Sequence, residues 1–442
     1  MKAKFRSWAP PAVALAAFVV AACTNLLDVK TPDIINPGDV NNPDGAVAAY
    51  NGAIGDFAFA NDGDNGGTEG QILVSGTMAD EYSDVETFPT RIEYDSRAIN
   101  ENNGTLTTVF FNLQKARVAL EGAASALQQY APTPTSRIGE MLALSGFTYV
   151  YFAENYCSAV PFSERQPDGS IQYGIPQTTT QILDRAIARF DAALGATTDG
   201  RVRSLASVGK SRALLDEGQF AGAAAATVGV LDTFKYQTFH SQATNRQWNG
   251  VFVFNNQAPL GTARFGVADV EGTNGLGFRS ALDPRVVTVK NGKGFDNLSD
   301  LYVLGKYTSA TSAVPVADGL EARLIRAEAA LHGATSAAVV DSLNAIRAAS
   351  GLALAPLADP GTDSARADVL FRERAFWLFA TGHRLGDLRR LARVPYSRAV
   401  TSIYPVGVYV HANTVYGTNT ELPVPFSERN NPNYKGCNYD TP

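Results

Sequence analysis

Residues 372–393, RERAFWLFATGHRLGDLRRLAR, gather six arginines, one of the chain's four histidines, two acids and three large aromatics into a single run. His383 stands four residues before Asp387, a spacing that puts both side chains on one face of a helix, where an imidazole and a carboxylate can share a proton. The arginines would suit a phosphate clamp. The same charges can equally hold helices together, and the remaining sequence has to decide between chemistry and architecture.

Other stretches that might do chemistry fall away when their spacing is tested. SLASVGKS (204–211) ends like a phosphate loop, but Ser204 occupies the position of the first required glycine and no strand precedes it, so its amides cannot cradle an anion. NDGDNGGTEG (61–70) hints at a calcium loop through Asp62, Asp64 and Gly67. Gly66 and Leu73 stand where further ligands are needed, so a polar loop is the better reading, with a calcium site the unsupported alternative, and no cofactor is expected. The adjacent acids Asp80 and Glu81 point apart in any regular structure. No G-x-S-x-G elbow, H-E-x-x-H helix or paired C-x-x-C occurs, so catalysis has no positive support and the chain is not expected to be an enzyme. Aromatics offer more. Tyr82, Phe88 and Tyr94 follow the acid pair, and Trp248 and Phe278 lie in a Gly- and Asn-rich middle region. Rings on loops beside Asn, Asp and Arg suit sugar recognition, in which the ring packs on the C–H face of a pyranose. These five are the candidate ligand contacts, although rings can also simply close loops over a core.

The elements that must position such residues begin after a leader. MKAKFRSW carries three positive charges, and AVALAAFVVAA is too short to span a bilayer, so residues 1–22 read as a secretory signal. VVAACTN resembles a lipobox, which would make Cys23 the lipidated first residue of the mature chain; an ordinary signal peptide is the alternative. The full chain carries a net charge of −6, and removing three bases and no acid with the leader leaves −9, which argues against a nucleic-acid partner. Cys157 and Cys437 remain as an even pair, either a disulfide in an oxidising compartment or two buried thiols.

Residues 23–45 read as a tether, and residues 46–442 as a single domain. Ala- and Leu-rich patterns predict helices at about 46–59, 105–130, 136–156, 178–195, 202–217, 221–233, 319–333, 336–350 and 364–392. Between about 235 and 315 the texture changes to irregular loops with a few short strands. Such a long insertion in a helical protein usually carries function. Two helical pairs, 204–231 and 319–347, share small residues along a first helix, a glycine near the turn and an Ala-rich second helix. That is the logic of tetratricopeptide-like pairs, or a chance likeness of two Ala-rich segments.

Taken in order, several segments resemble the SusD/RagB outer-membrane nutrient-binding lipoproteins. They are the lipobox at Cys23, ADE at 79–81, VFFNLQKARVAL, IGEMLALSGFTYVYFAENYCSAVPF, DPR at 283–285 and LPVPFSERNNPNY. The opening run is the most specific of them. It supplies Glu373, Arg374, Gly382, Arg384 and Asp387 in the places of the family pattern E-R-x-x-E-L-x-x-E-G-x-R-W-x-D-L-x-R, and departs at Trp377, Thr381 and Leu385. The resemblance implies a mainly α protein built on about four tetratricopeptide-like helix pairs with irregular insertions. It further implies a lipid-anchored, surface-exposed outer-membrane protein that binds a glycan or other nutrient and docks on a TonB-dependent, SusC-like transporter. A peptide-binding member of the same fold and an envelope scaffold without a small ligand are the alternatives. On this reading the run 372–393 is structural. Gly382 ends one helix, HRLGDLRRL starts the next, His383 pairs with Asp387, and Arg374, Arg384 and Asp387 tie the corner to its neighbours.

Overall fold

Capping residues start the helices much as the sequence places them. Asn42 Oδ1 accepts the Gly45 N–H ahead of α1 (Pro43–Asp62), with proline at the first helical position. Asn103 caps α4 (Gly104–Tyr130), Asp199 caps α7 (Gly200–Asp216), Asp318 caps α10 (Gly319–Leu331) and Thr362 caps α12 (Asp363–Trp377). Thr178 and Gln181 form a reciprocal capping box at α6 (Thr179–Ala196). The other helices are α2 (Gln71–Ala79), α3 (Pro89–Asp95), α5 (Thr135–Asn155), α8 (Phe220–Ala226), α9 (Gly250–Asn255), α11 (Ala338–Ala349), α13 (Arg384–Ala392) and α14 (Val400–Ile403). This computed structural model describes residues 41–166, 168–256, 263–409, 411–412 and 414–438, so Cys23, the leader and most of the expected tether lie outside the described residues.

The body is mainly α. Helix α1 packs on α4, α5 on α6, α7 on α8 and α10 on α11, and successive pairs touch through α4–α5, α6–α7 and α8–α10. Helix α12 closes on α10 and α11, while α13 reaches back to α2 and α5. Glycines allow the closest approach. A Cβ at Gly146 of α5 would lie 2.6 Å from the Phe190 ring of α6, and one at Gly209 of α7 would lie 2.3 Å from the same ring. Phe190 therefore fills a slot that only two glycines leave open. SLASVGKS is part of α7, with Lys210 bonded to Asp191 at 2.6 Å.

The insertion leaves and rejoins the body on one antiparallel ribbon, Lys235–Thr238 with Val314–Asp318. Within it, Phe265–Val267 pairs with Tyr82–Asp84, and Thr288–Lys293 forms a hairpin with Asp300–Leu304. Among the described residues all strands are short and occur as two-stranded pairs. Cys157 and Cys437 are disulfide-bonded, fastening the C-terminal segment beside the end of α5. No helix among the described residues is long and apolar enough to cross a membrane.

Three local expectations change. Helix α8 stops at Ala226 rather than near 233, because the chain must turn into the ribbon strand that starts at Lys235. Helix α12 stops at Trp377, and the turn 378–383 separates it from α13. In NRQWNGVFVFNNQ, Asn249 Oδ1 accepts the Phe252 N–H and caps α9 where loop or strand was expected.

Candidate functional site

The run 372–393 folds into the centre of the body, where its charges act as struts. Arg374 meets Asp387 with two hydrogen bonds of 2.9 and 2.8 Å, and Arg384 meets Asp80 with two of 2.7 and 2.9 Å. Glu373 accepts from Arg285 at 2.7 Å and from Arg347 at 2.5 Å. Arg390 bridges Asp387, Glu328 and Asp216, and Arg389 donates to the carbonyls of Ala153, Glu154 and Tyr156 at the end of α5. Burial alone would raise the Asp387 carboxyl; Arg374 and Arg390 overcome it and hold the group well below the usual carboxylate range.

His383 does not pair with Asp387 through its side chain. Arg212 donates to His383 Nε2 at 2.8 Å, and since a guanidinium can only donate, the ring proton sits on Nδ1, facing Thr381 Oγ1 at 2.8 Å. Burial, then the Arg212 and Arg374 cations, push this imidazole well below its ordinary range, so it is neutral. Gly382, at φ +76°, turns the chain into α13 five residues past the end of α12. Its carbonyl accepts from Arg212. Asp80 and Glu81 do point apart: Asp80 binds Arg384, and Glu81 Oε1 accepts the Ala380 N–H at 3.0 Å.

The five candidate rings divide. Tyr82, Tyr94 and Phe278 are fully buried and cannot touch a ligand. Tyr82 and Phe278 pack on Phe379 with centroids 5.9 and 4.7 Å away, and Tyr94 stacks on Phe265 at 6.4 Å. Tyr82 serves the core because its strand, Tyr82–Asp84, is covered on both faces. Trp248 is half-buried after the 3-10 turn Asn245–Gln247. Phe88 is the exception, with 48% of its surface exposed. In the polar loop, Asp62 accepts from Thr238 Oγ1 and faces His240, while Asp64 accepts the Gly66 and Thr68 amides.

Phe88 belongs to a ladder of alternating rings and guanidinium groups. Arg264 lies 4.4 Å from the Phe295 centroid and 5.9 Å from that of Phe88; Arg91 lies 5.1 Å from Phe88 and 5.3 Å from Phe254. Glu86 ties the two arginines, with Oε1 at 2.5 Å from Arg91 and Oε2 at 3.2 Å from Arg264, and Glu69 pairs with Arg91 as well. Burial pushes the Glu86 carboxyl up, against the pull of Arg91 and Arg264. Backbone bonds assemble these rungs. The Val85 N–H donates to Arg264 O, continuing the strand pairing, and the Asp296 N–H donates to Val85 O, bringing Phe295 alongside.

The resulting surface is apolar at Phe88 and Phe295 and carries the Arg264 guanidinium, while Arg91, Glu69 and Glu86 lie buried beneath it. It can stack on an uncharged ring while donating hydrogen bonds. Only Phe88 among these residues stands out in the sequence as a ligand contact; Arg91, Arg264, Phe254, Phe295, Glu69 and Glu86 are brought to it by the strand register. Among the described residues, no group of three or more His, Cys, Asp or Glu side chains is arranged to hold a metal.

No family model and no curated protein matches the sequence. Solved structures do match. A SusD superfamily protein from Parabacteroides distasonis is 15% identical, with a TM-score of 0.65 over 89% of this chain and 98% of that one. A SusD-like carbohydrate binding protein from Bacteroides fragilis is 16% identical, with a TM-score of 0.64 over 90% and 99%. A laminarin binding SusD-like protein is 14% identical, with a TM-score of 0.63 over 90% and 99%. The protein therefore has the SusD-like fold.

Proposed function

We propose that the protein is a non-catalytic lipoprotein of the outer membrane, anchored through Cys23 and exposed at the cell surface. It captures an oligosaccharide on the Phe88–Arg264–Phe295 face and passes it to a TonB-dependent, SusC-like transporter. Phe88 carries this reading: with 48% of its surface exposed it presents a ring face to solvent, and the partly exposed Arg264 guanidinium beside it supplies hydrogen-bond donors. The balance of Glu69 and Glu86 against Arg91 and Arg264 favours a neutral sugar over a charged peptide. The carbohydrate- and laminarin-binding neighbours support the same class of ligand, and delivery to a transporter follows from the resemblance noted above.

Titration of the purified mature protein against neutral glucan oligosaccharides and a peptide panel tests the reading. Saturable heat with a glycan and none with peptides is expected. Binding to peptides alone would overturn it.

A further inference from the structure

Phe239 is 75% exposed, more than Phe88, and stands in a different part of the molecule. It follows the ribbon strand Lys235–Thr238, and the residues on either side of it turn inward. Thr238 Oγ1 donates to Asp62 at 2.6 Å, and His240 Nε2 faces the same carboxylate at 3.0 Å, with the His240 side chain only 3% exposed. Alternation along an extended chain then sends Phe239 outward. The loop that follows is also tied down: Arg246 bonds to Asp56, and the Asn65 N–H donates to Asn245 O at 3.0 Å. A large ring is thus held in solvent by a fastened segment.

This loop and α1 enclose a groove of about 600 Å³ that shares no residue with the ring ladder. On the α1 side it is lined by Gly52 and Gly55. A Cβ at either position would meet nothing within 4 Å, so no neighbour in the fold requires glycine there, although glycine inside a helix costs stability relative to alanine. Phe59 gives the groove a second ring, with the Arg246 guanidinium 4.2 Å from its centroid and 42% of the Arg246 side chain in solvent. The exposed side chains of Asn51, Thr244 and Gln247 add uncharged amide and hydroxyl groups. The charges are already matched, Arg246 with Asp56 and His240 with Asp62. An ionic ligand meets no uncompensated charge here, whereas rings, amides and a part-exposed guanidinium suit the C–H faces and hydroxyls of a sugar.

We propose that this groove is a second binding site for a neutral oligosaccharide, separate from the ladder. A pyranose stacks on Phe239, approaches the bare helix backbone at Gly52 and Gly55, and accepts hydrogen bonds from Arg246 and the amides of Asn51 and Gln247. The inference rests on the glycan reading given above and adds to it a second equivalent, bound on the helical body.

Calorimetric titration with laminarihexaose, maltohexaose and cellohexaose tests this in the purified mature protein and in Gly55→Leu, Phe239→Ala and Phe88→Ala. The parent is expected to bind two equivalents of one of these glucans. Gly55→Leu fills the groove where the fold leaves room and replaces a helix-weakening residue, so it should melt no lower than the parent and bind one equivalent. Phe239→Ala should weaken that same equivalent by about tenfold or more. Gly55→Leu and Phe239→Ala that both titrate like the parent would overturn the proposal, as would heat from none of the three glucans. Peptide binding that Gly55→Leu abolishes would give the groove to another ligand and overturn the sugar. Failure of the ladder reading shows differently, as glucan binding that Phe88→Ala leaves unchanged.

Discussion

In the helical body, Arg212, Arg374, Arg384 and Arg390 each meet a carboxylate with two arms of the guanidinium, and all four are buried. In the insertion, Arg264 lies instead between the Phe88 and Phe295 rings and keeps 20% of its side chain in solvent. One residue type thus serves two ends. A buried fork bonded to an acid fixes the angle between helices and offers nothing to a ligand. A guanidinium stacked between rings keeps edge donors beside an exposed apolar face, which a ligand can use.

Breaking a strut should do the most damage. Asp387→Ala strands Arg374 and Arg390 without their shared acid, and loss of one partner from a buried ion pair costs about 3–5 kcal/mol. Urea unfolding should show that loss, while the fraction that remains folded binds glycan as the parent does. A loss under about 1 kcal/mol would mean that the network is dispensable.

A smaller effect tests the acids that no arginine neutralises. Burial pushes Glu81 up to about 8, and Glu81 Oε2 has no partner. Because the folded state holds this proton more tightly than the unfolded chain, its contribution is full below about pH 4.5 and is lost as pH rises through about 8. The parent should therefore melt lower at pH 9 than at pH 6. Glu81→Gln, which can still accept the Ala380 N–H, should narrow that drop by about 2–3 kcal/mol. An unchanged drop would show that Glu81 is not a source of the pH dependence.

Much of the body is legible in the sequence because its signals are local. Thr178 with Gln181, Asp199 and Asp318 mark helix starts by residue type alone. Helix α2 is not legible, since all nine of its residues are buried and no polar face gives it a period. His383 and Asp387 have helical spacing, yet Arg212 and Arg374, from other helices, take their side chains. The ring ladder is the hardest case. Its rungs come from 86–91, 254, 264 and 295, and the pairing of Tyr82–Asp84 with Phe265–Val267, together with the Asp296–Val85 bond, makes them neighbours. Tyr82, Tyr94 and Phe278 look in sequence much like Phe88, and nothing short of the packing says which ring stays outside.

The smallest expected effect on stability belongs to the residue with the largest expected effect on binding. Phe88→Ala removes an exposed ring, so unfolding free energy should change by less than about 1 kcal/mol. The measurement that tests the central claim most directly is therefore paired calorimetry and thermal melting of Phe88→Ala with whichever glucan oligosaccharide binds the parent. Affinity should fall by about tenfold or more with the melting temperature nearly unchanged. Glycan affinity equal to the parent's, in a protein that melts normally, would contradict the account and move the binding face away from the ladder.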